Sequence, residues 1–158
     1  MSILEICRWL QYSAPLVAMR GSPWVFPVIA TVHLMGLAMI GGAVLVVDLR
    51  LLGLGLSLQP VAGLARDAER WLVRGVLVMV STGIPLFMCF ATKYYYLTFF
   101  WVKMAALLLV IAFTVSVRRR VTMAHDADER PVRSKLVALV SLSLWTTVAV
   151  GGRWIGFP

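Results

Sequence analysis

His33 is the residue of this sequence whose type and position best suit the binding of a cofactor. It lies in the middle of the charge-free stretch 25–47, which is otherwise strongly apolar. An ionisable side chain at that depth of a membrane is costly unless it faces protein, water or a ligand. Imidazole is the common proximal ligand of haem iron, and helix bundles host such sites in their interiors. We therefore treat His33 as a candidate axial ligand of haem iron, with an interhelical hydrogen bond as the alternative role.

Four further residues accompany His33 in the same half of the apolar stretches. Thr82 lies at about the same ~13 Å depth by helical rise, and Gly36 shares the face of His33, where a small residue leaves space for a backbone or a flat ligand. Lys103 can turn inward as a second ligand, and Arg153 can pair with a haem propionate. The alternative is that both cations are headgroup anchors and that Thr82 only bonds to His33.

The sequence lacks the motifs of the common catalytic, nucleotide-binding and metal-binding sites. The sequence contains no nucleophile elbow, phosphate-binding loop or dinucleotide motif, and Cys7 and Cys89 are too far apart for a CxxC site. The second histidine, His125, is predicted at the opposite end from His33, which excludes a bis-histidine haem within one chain. A Cys7–Cys89 disulfide and an unpaired, buried Cys89 both remain open. All Asp and Glu residues are expected outside the apolar spans, so a transport or proton pathway is not predicted.

The composition places most of the chain in a membrane. Of the 158 residues, 61% are hydrophobic and 14% are charged, and the charged residues avoid four long stretches. This pattern predicts an all-α fold, a four-helix transmembrane bundle that forms one domain over residues 1–158. The spans are predicted at about 24–47, 71–91, 99–117 and 136–155.

The N-terminal residues and the loop charges complete the topology. Residues 2–12 have capping-box spacing at Ser2 and Glu5, which favours a short interfacial helix or a packed N-terminal turn. The net charge of +8 reflects cations at the ends of the spans and does not indicate a nucleic-acid partner. Ten of the 15 Lys and Arg residues fall on the side of the loops 48–70 and 118–135, which is predicted to be cytoplasmic. Both termini are then periplasmic, in a bacterial inner membrane.

Several short motifs resemble a known family. They are His-Leu-Met-Gly at 33–36, Gly-Gly at 41–42, Val-Asp-Leu-Arg-Leu-Leu-Gly at 47–53 and Gly-Gly-Arg-Trp-Ile at 151–155. Together they resemble an uncharacterised family of small four-span bacterial inner-membrane proteins, over nearly the whole chain. Relatives in that family often carry a histidine where this chain has Arg118, so a second ligand there is not expected.

A more distant resemblance concerns His33 and the residues Trp-Val-Lys-Met at 101–104. A histidine in the first span and a lysine in the third are similar to the HemJ-type protoporphyrinogen oxidases and to CopD-like membrane domains. In the HemJ family these two residues are associated with haem b and activity. The resemblance implies the same roles for His33 and Lys103.

Two functions follow as hypotheses. The first is a haem b-binding membrane protein, redox-active with a quinone or a periplasmic partner, in which a homodimer can supply a second His33. The second is a non-catalytic structural or accessory subunit of a larger membrane complex, which uses its small-residue faces for packing. Whether the protein is an enzyme stays open at this point.

Overall fold

The computed structural model describes residues 2–55, 58–123 and 131–155, and the regular structure within these ranges is helical. A five-residue π turn at Thr114–Arg118 joins the helix that ends at Phe113 to the helix that begins at Arg119. The helices are α1 (Ile3–Gln11), α2 (Ala14–Gly21), α3 (Val25–Leu52), α4 (Val61–Cys89), α5 (Ala91–Tyr96), α6 (Thr98–Phe113), α7 (Arg119–Met123) and α8 (Pro131–Trp154).

Four helical segments are long and apolar enough to cross a membrane: α3, α4, α8 and the continuous run Thr98–Met123. Each has 24 to 29 residues, more than the roughly 20 needed to cross the hydrocarbon core. Helices satisfy their backbone hydrogen bonds internally, as the apolar core requires. The predicted all-α bundle of four long helices is confirmed, and the protein is a multi-pass membrane protein.

The helices extend beyond the apolar stretches that the sequence marks. α3 continues past Val47 to Leu52, where Gly53 adopts a left-handed conformation with φ of 80°. α4 begins directly after Pro60, well before the apolar stretch that starts near Trp71. A hydropathy boundary marks the end of the lipid-compatible surface, whereas a helix ends at a backbone stop signal.

The four long helices run antiparallel to their packing partners, α3 against α4 and α8, and α6 against α8. We call the end where α3 and α6 begin the terminal end, and the end where α4 and α8 begin the loop end. At the middle of the α3–α4 contact, a Cβ atom on Gly75 would lie 2.7 Å from Cγ1 of Ile40 and 3.1 Å from the Gly36 carbonyl oxygen. The missing side chains therefore allow the two backbones to approach closely.

Two clusters of buried side chains form the core. The central cluster contains Ile40, Val44, Ala106, Val110, Trp145 and Val148. The cluster at the loop end contains Val47, Leu51, Val61, Ala65 and Ala138. Val47 and Leu51 in this second cluster belong to α3, so buried side chains continue along α3 to the loop end.

The predicted N-terminal helix is present as α1. The Ser2 hydroxyl accepts from the Glu5 amide at 3.2 Å, and the Glu5 carboxylate accepts from the Ser2 amide at 2.7 Å, which confirms the capping box. α1 and α2 pack against the end of α4 and against α5. Cys7 and Cys89 are both buried and are free thiols.

Candidate functional site

His33 on α3 is joined to Thr82 on α4. The distance from His33 Nδ1 to Thr82 Oγ1 is 2.9 Å, and Thr82 Oγ1 lies 2.5 Å from the Val78 carbonyl oxygen, to which it donates. A hydroxyl has one proton to donate, so Thr82 accepts from Nδ1–H of His33. This assignment leaves the lone pair of the imidazole on Nε2, the nitrogen that points away from the hydrogen bond.

The imidazole ring rests on the backbone of α4. A Cβ atom on Gly83 would lie only 3.2 Å from Cε1 and 3.7 Å from Nδ1 of His33. The main chain of Met79 is a further polar neighbour of the ring. Thr82 and Gly83 therefore hold the Nδ1–Cε1 edge of the ring.

Lys103 on α6 lies against the Gly151–Gly152 pair of α8. A Cβ atom on Gly152 would lie 3.2 Å from Nζ and 3.5 Å from Cε of Lys103, and one on Gly151 would lie 3.4 Å from Lys103 Cβ. Lys103 is half-buried and interacts electrostatically with His33. Within the described ranges, its ammonium group forms no hydrogen bond or ion pair. The absence of side chains at Gly151 and Gly152 thus makes room for the Lys103 side chain beside α8.

The remaining two predicted site residues are Arg153 and Gly36. Arg153 is exposed at the terminal end of α8, next to Gly152. Gly36 is buried, and a Cβ atom there would lie 3.0 Å from Val78 Cγ1 and 3.2 Å from Met79 Cγ. The structure therefore brings His33, Thr82 and Lys103 together, while α4 fills the space beside Gly36.

Aromatic rings cover the terminal end of the bundle. The rings of Phe87, Tyr94 and Phe100 are mutually stacked, with the Phe87–Phe100 centroids 5.2 Å apart and the Tyr94–Phe100 centroids 5.7 Å apart. Burial raises the pKa of Tyr94 above its ordinary value, and the nearby Cys89 acts in the same direction. Tyr94 and Phe100 therefore pack against Phe87 of α4.

The loop half of the bundle holds a polar pair that the sequence analysis missed. Arg118 Nε donates to Asp48 Oδ1 at 3.0 Å, and the two side chains are 8% and 0% exposed. The expectation that every carboxylate lies outside the apolar spans was wrong for Asp48, because α3 carries it inside the bundle. The signal was the buried face of α3, since Asp48 follows Ile40, Val44 and Val47 at helical spacing.

Other metal chemistry finds no support in this part of the chain. No group of three His, Cys, Asp or Glu side chains that could hold a metal ion occurs among the described residues. The prediction for His125 lies outside those residues. The candidate site is therefore the His33–Thr82 pair, with Lys103 on α6 as a further polar side chain in the same half of the bundle.

Four apolar helices around an interior with a few polar side chains define a helical multi-pass membrane protein. The chain belongs to a family of unknown function, DUF6644, whose model matches residues 24–158. The resemblance to an uncharacterised family is thereby confirmed, and α1 and α2 precede the matched region. No curated protein and no solved structure matches the chain.

Proposed function

We propose that this protein binds haem b in the terminal half of its helix bundle and exchanges electrons with a quinone or a periplasmic partner. The observation that carries the proposal is the hydrogen bond between His33 Nδ1 and Thr82 Oγ1, 2.9 Å long. Histidines that bind metals usually donate their other ring N–H to a neighbouring group, which fixes the tautomer and the ring plane. His33 has that arrangement, with Nε2 as the candidate ligand.

The surroundings of His33 fit a haem in their chemistry. An imidazole and an amine are both known types of nitrogen donor, and here they come from opposite sides of the bundle, α3 and α6. His33, Thr82, Gly83, Lys103 and Gly152 are all half-buried, whereas the interior of the loop half is fully buried. Half-burial leaves these five residues accessible to a ligand.

Each residue then has a defined task. A bound haem would supply one-electron chemistry, and His33 Nε2 would be the nitrogen that holds its iron. Thr82 and Gly83 hold the imidazole plane against α4. Lys103 would add a second nitrogen donor when neutral, or would pair with a propionate when charged. Arg153, which the sequence analysis assigned to a propionate, lies at the rim of the site.

The charge distribution supports a location in a bacterial inner membrane. Ten of the 15 Lys and Arg residues are on the side of the loop end, which the positive-inside rule assigns to the cytoplasm. The terminal end, with His33 and Lys103, then faces the periplasm. That orientation suits an electron partner in the periplasm or a quinone in the outer half of the bilayer.

An absorption spectrum of the purified protein tests the proposal. Protein produced with a full haem supply and solubilised in mild detergent should show a Soret band. The band should disappear in His33→Ala and persist in His125→Ala, which removes the other histidine of the sequence. A colourless wild-type preparation, or a spectrum that His33→Ala leaves unchanged, would overturn the proposal.

A specific observation also favours the second candidate, an accessory subunit of a larger membrane complex. Gly41 and Gly42 are exposed on α3, and a Cβ atom on either residue would meet nothing within 4 Å. Such a surface allows the backbone of another membrane helix to approach closely. Gly41→Leu with Gly42→Leu should then release a defined partner that co-purifies with the wild type. Recovery of free monomer alone from the wild type would count against this candidate.

A further inference from the structure

The loop half of the bundle contains buried polar atoms that have no hydrogen-bond partner among the described residues. The five atoms are Asp48 Oδ2, Thr114 Oγ1, Arg118 Nη2, Ser141 Oγ and Trp145 Nε1. Buried polar groups in folded proteins are almost always hydrogen-bonded, to protein or to ordered water. Several such atoms in one region therefore mark a candidate site for a small polar ligand.

Three of these atoms, on Asp48, Arg118 and Ser141, lie at the Asp48–Arg118 ion pair. Arg118 uses Nε to bond Asp48 Oδ1, which leaves its Nη2 and the second carboxylate oxygen, Oδ2, without direct partners. Ser141 on α8 is 0% exposed and lies beside the Asp48 carboxylate. Its hydroxyl interacts with that carboxylate, but the contact is too loose for a well-formed direct hydrogen bond.

The other two atoms continue from this cluster toward the middle of the membrane. Thr114 precedes Arg118 by four residues, and Trp145 follows Ser141 by four residues. Because the two helices are antiparallel, both steps lead toward the terminal end, by ~6 Å of helical rise. Thr114 and Trp145 therefore lie on the terminal side of the Asp48–Arg118 pair, and we call the five atoms the polar column.

The donors and acceptors in the column are mixed. Asp48 Oδ2 only accepts, Arg118 Nη2 and Trp145 Nε1 only donate, and the two hydroxyls do both. The charges of Asp48 and Arg118 offset each other, so the column has no net charge to attract an ion of either sign. A neutral molecule that both donates and accepts matches this set, and burial limits its size.

We propose that the column is a binding site for internal water. Water molecules there bridge Asp48 Oδ2, Arg118 Nη2 and Ser141 Oγ, and continue along Thr114 to the indole nitrogen of Trp145. Buried waters typically make about three hydrogen bonds to groups that lack protein partners. The π turn supports the arrangement, because it ends at Arg118 and such turns recur at functional sites. The site is independent of any haem near His33.

Radiolytic footprinting of the full chain in mild detergent tests the proposal. An X-ray pulse makes hydroxyl radicals from water where the water lies, and an indole ring next to bound water reacts with them. Trp145 is only 7% exposed, so bulk solvent does not explain modification at this position. We expect Trp145 to be modified in the wild type, with oxygen that comes from isotopically labelled water.

Matched variants make the result decisive. Ser141→Ala and the double variant Asp48→Leu/Arg118→Leu remove ligands of the water, and labelling of Trp145 should fall several-fold. Ser143→Ala should leave it unchanged, because the Ser143 hydroxyl is exposed and bonds the Leu139 carbonyl. If the double variant does not fold, Ser141→Ala against Ser143→Ala decides the question. An unlabelled Trp145 in the wild type, or equal labelling in all variants, would overturn the proposal.

Discussion

Arg118 donates a 3.0 Å hydrogen bond from Nε to Oδ1 of Asp48, across the interior of the bundle. The pair links the loop end of α3 to the π turn after α6, and both side chains are withdrawn from lipid and solvent. A buried ion pair contributes little net stability compared with apolar side chains, but removal of one partner leaves a buried, unpaired charge. Loss of one partner should therefore cost more than the intact pair contributes.

Asp48→Ala should destabilise the protein strongly. The variant leaves the Arg118 guanidinium buried without its carboxylate, which typically costs about 3–5 kcal/mol. The free energy of unfolding in detergent, measured with a denaturant, checks this value. Asp67→Ala is the matched control, because Asp67 pairs with Arg70 on an exposed surface of α4, where ion pairs contribute little.

The double variant Asp48→Leu/Arg118→Leu separates pairing from packing. Both charges disappear together, so much of the stability lost in Asp48→Ala should return. Equal stability of Asp48→Ala and the wild type would contradict a buried pair at this position.

Thr82→Val should weaken haem binding. Valine has nearly the shape of threonine but lacks Oγ1, so His33 loses the acceptor that fixes its tautomer and ring plane. Loss of such a partner typically lowers metal affinity by about 10–100-fold. Titration of apoprotein with haem gives the Kd of each variant.

Thr31→Val provides the comparison for Thr82→Val. Thr31 is exposed on α3, and its hydroxyl donates to the Pro27 carbonyl at 2.8 Å within the same helix. Its Kd should match that of the wild type. An equal Kd in Thr82→Val would mean that the threonine does not orient a ligand.

Gly75→Ala should separate α3 from α4 and lower stability. Its Cβ atom would lie 2.7 Å from Ile40 Cγ1, and also close to the α3 backbone, so the helices must move apart. Overpacking of this kind typically costs about 1–3 kcal/mol. Gly42→Ala adds the same atom in open space and should be neutral in the same unfolding measurement. Comparable effects in the two variants would argue against close packing at Gly75.

The sequence could predict how deep each site residue lies in the membrane. Helical rise and the charge-free stretches give the depths of His33 and Thr82, and the structure joins the two by a hydrogen bond. The four long helices follow from hydropathy for the same reason. These features depend on positions within one helix.

Features that depend on which helices are neighbours could not be predicted in the same way. The contact of Gly83 with His33 and the contact of Gly152 with Lys103 require the pairings α3–α4 and α6–α8. Asp48 was misplaced for a different reason. The predicted span ended at Val47 because Asp48 is the next charged residue. The helix and its buried face, however, continue through Asp48 to Leu51.

Arg20→Ala should release the N-terminal helices from the bundle. Arg20 donates from Nη1 to the Cys89 carbonyl at 3.1 Å and from Nη2 to the Gln11 carbonyl at 2.9 Å. The guanidinium therefore joins α1 and α2 to the end of α4. Hydrogen exchange should become faster in α1 and α2 and stay unchanged in α3.

Arg8→Ala is the control for this exchange experiment. Arg8 is exposed in the last turn of α1, and its removal should leave the exchange rates as they are. Unchanged protection in Arg20→Ala would show that other contacts suffice to hold α1 and α2.

Lys103→Met distinguishes the two roles proposed for Lys103 in haem binding. If the amine is the second axial ligand, the variant should shift the Soret band, because the iron loses a nitrogen donor. If the ammonium group pairs with a propionate, the band should stay in place and the Kd for haem should rise. Lys93→Met is the control, since Lys93 is exposed on α5 at the same end of the molecule. A variant with the wild-type spectrum and the wild-type Kd would restrict Lys103 to packing against Gly151 and Gly152.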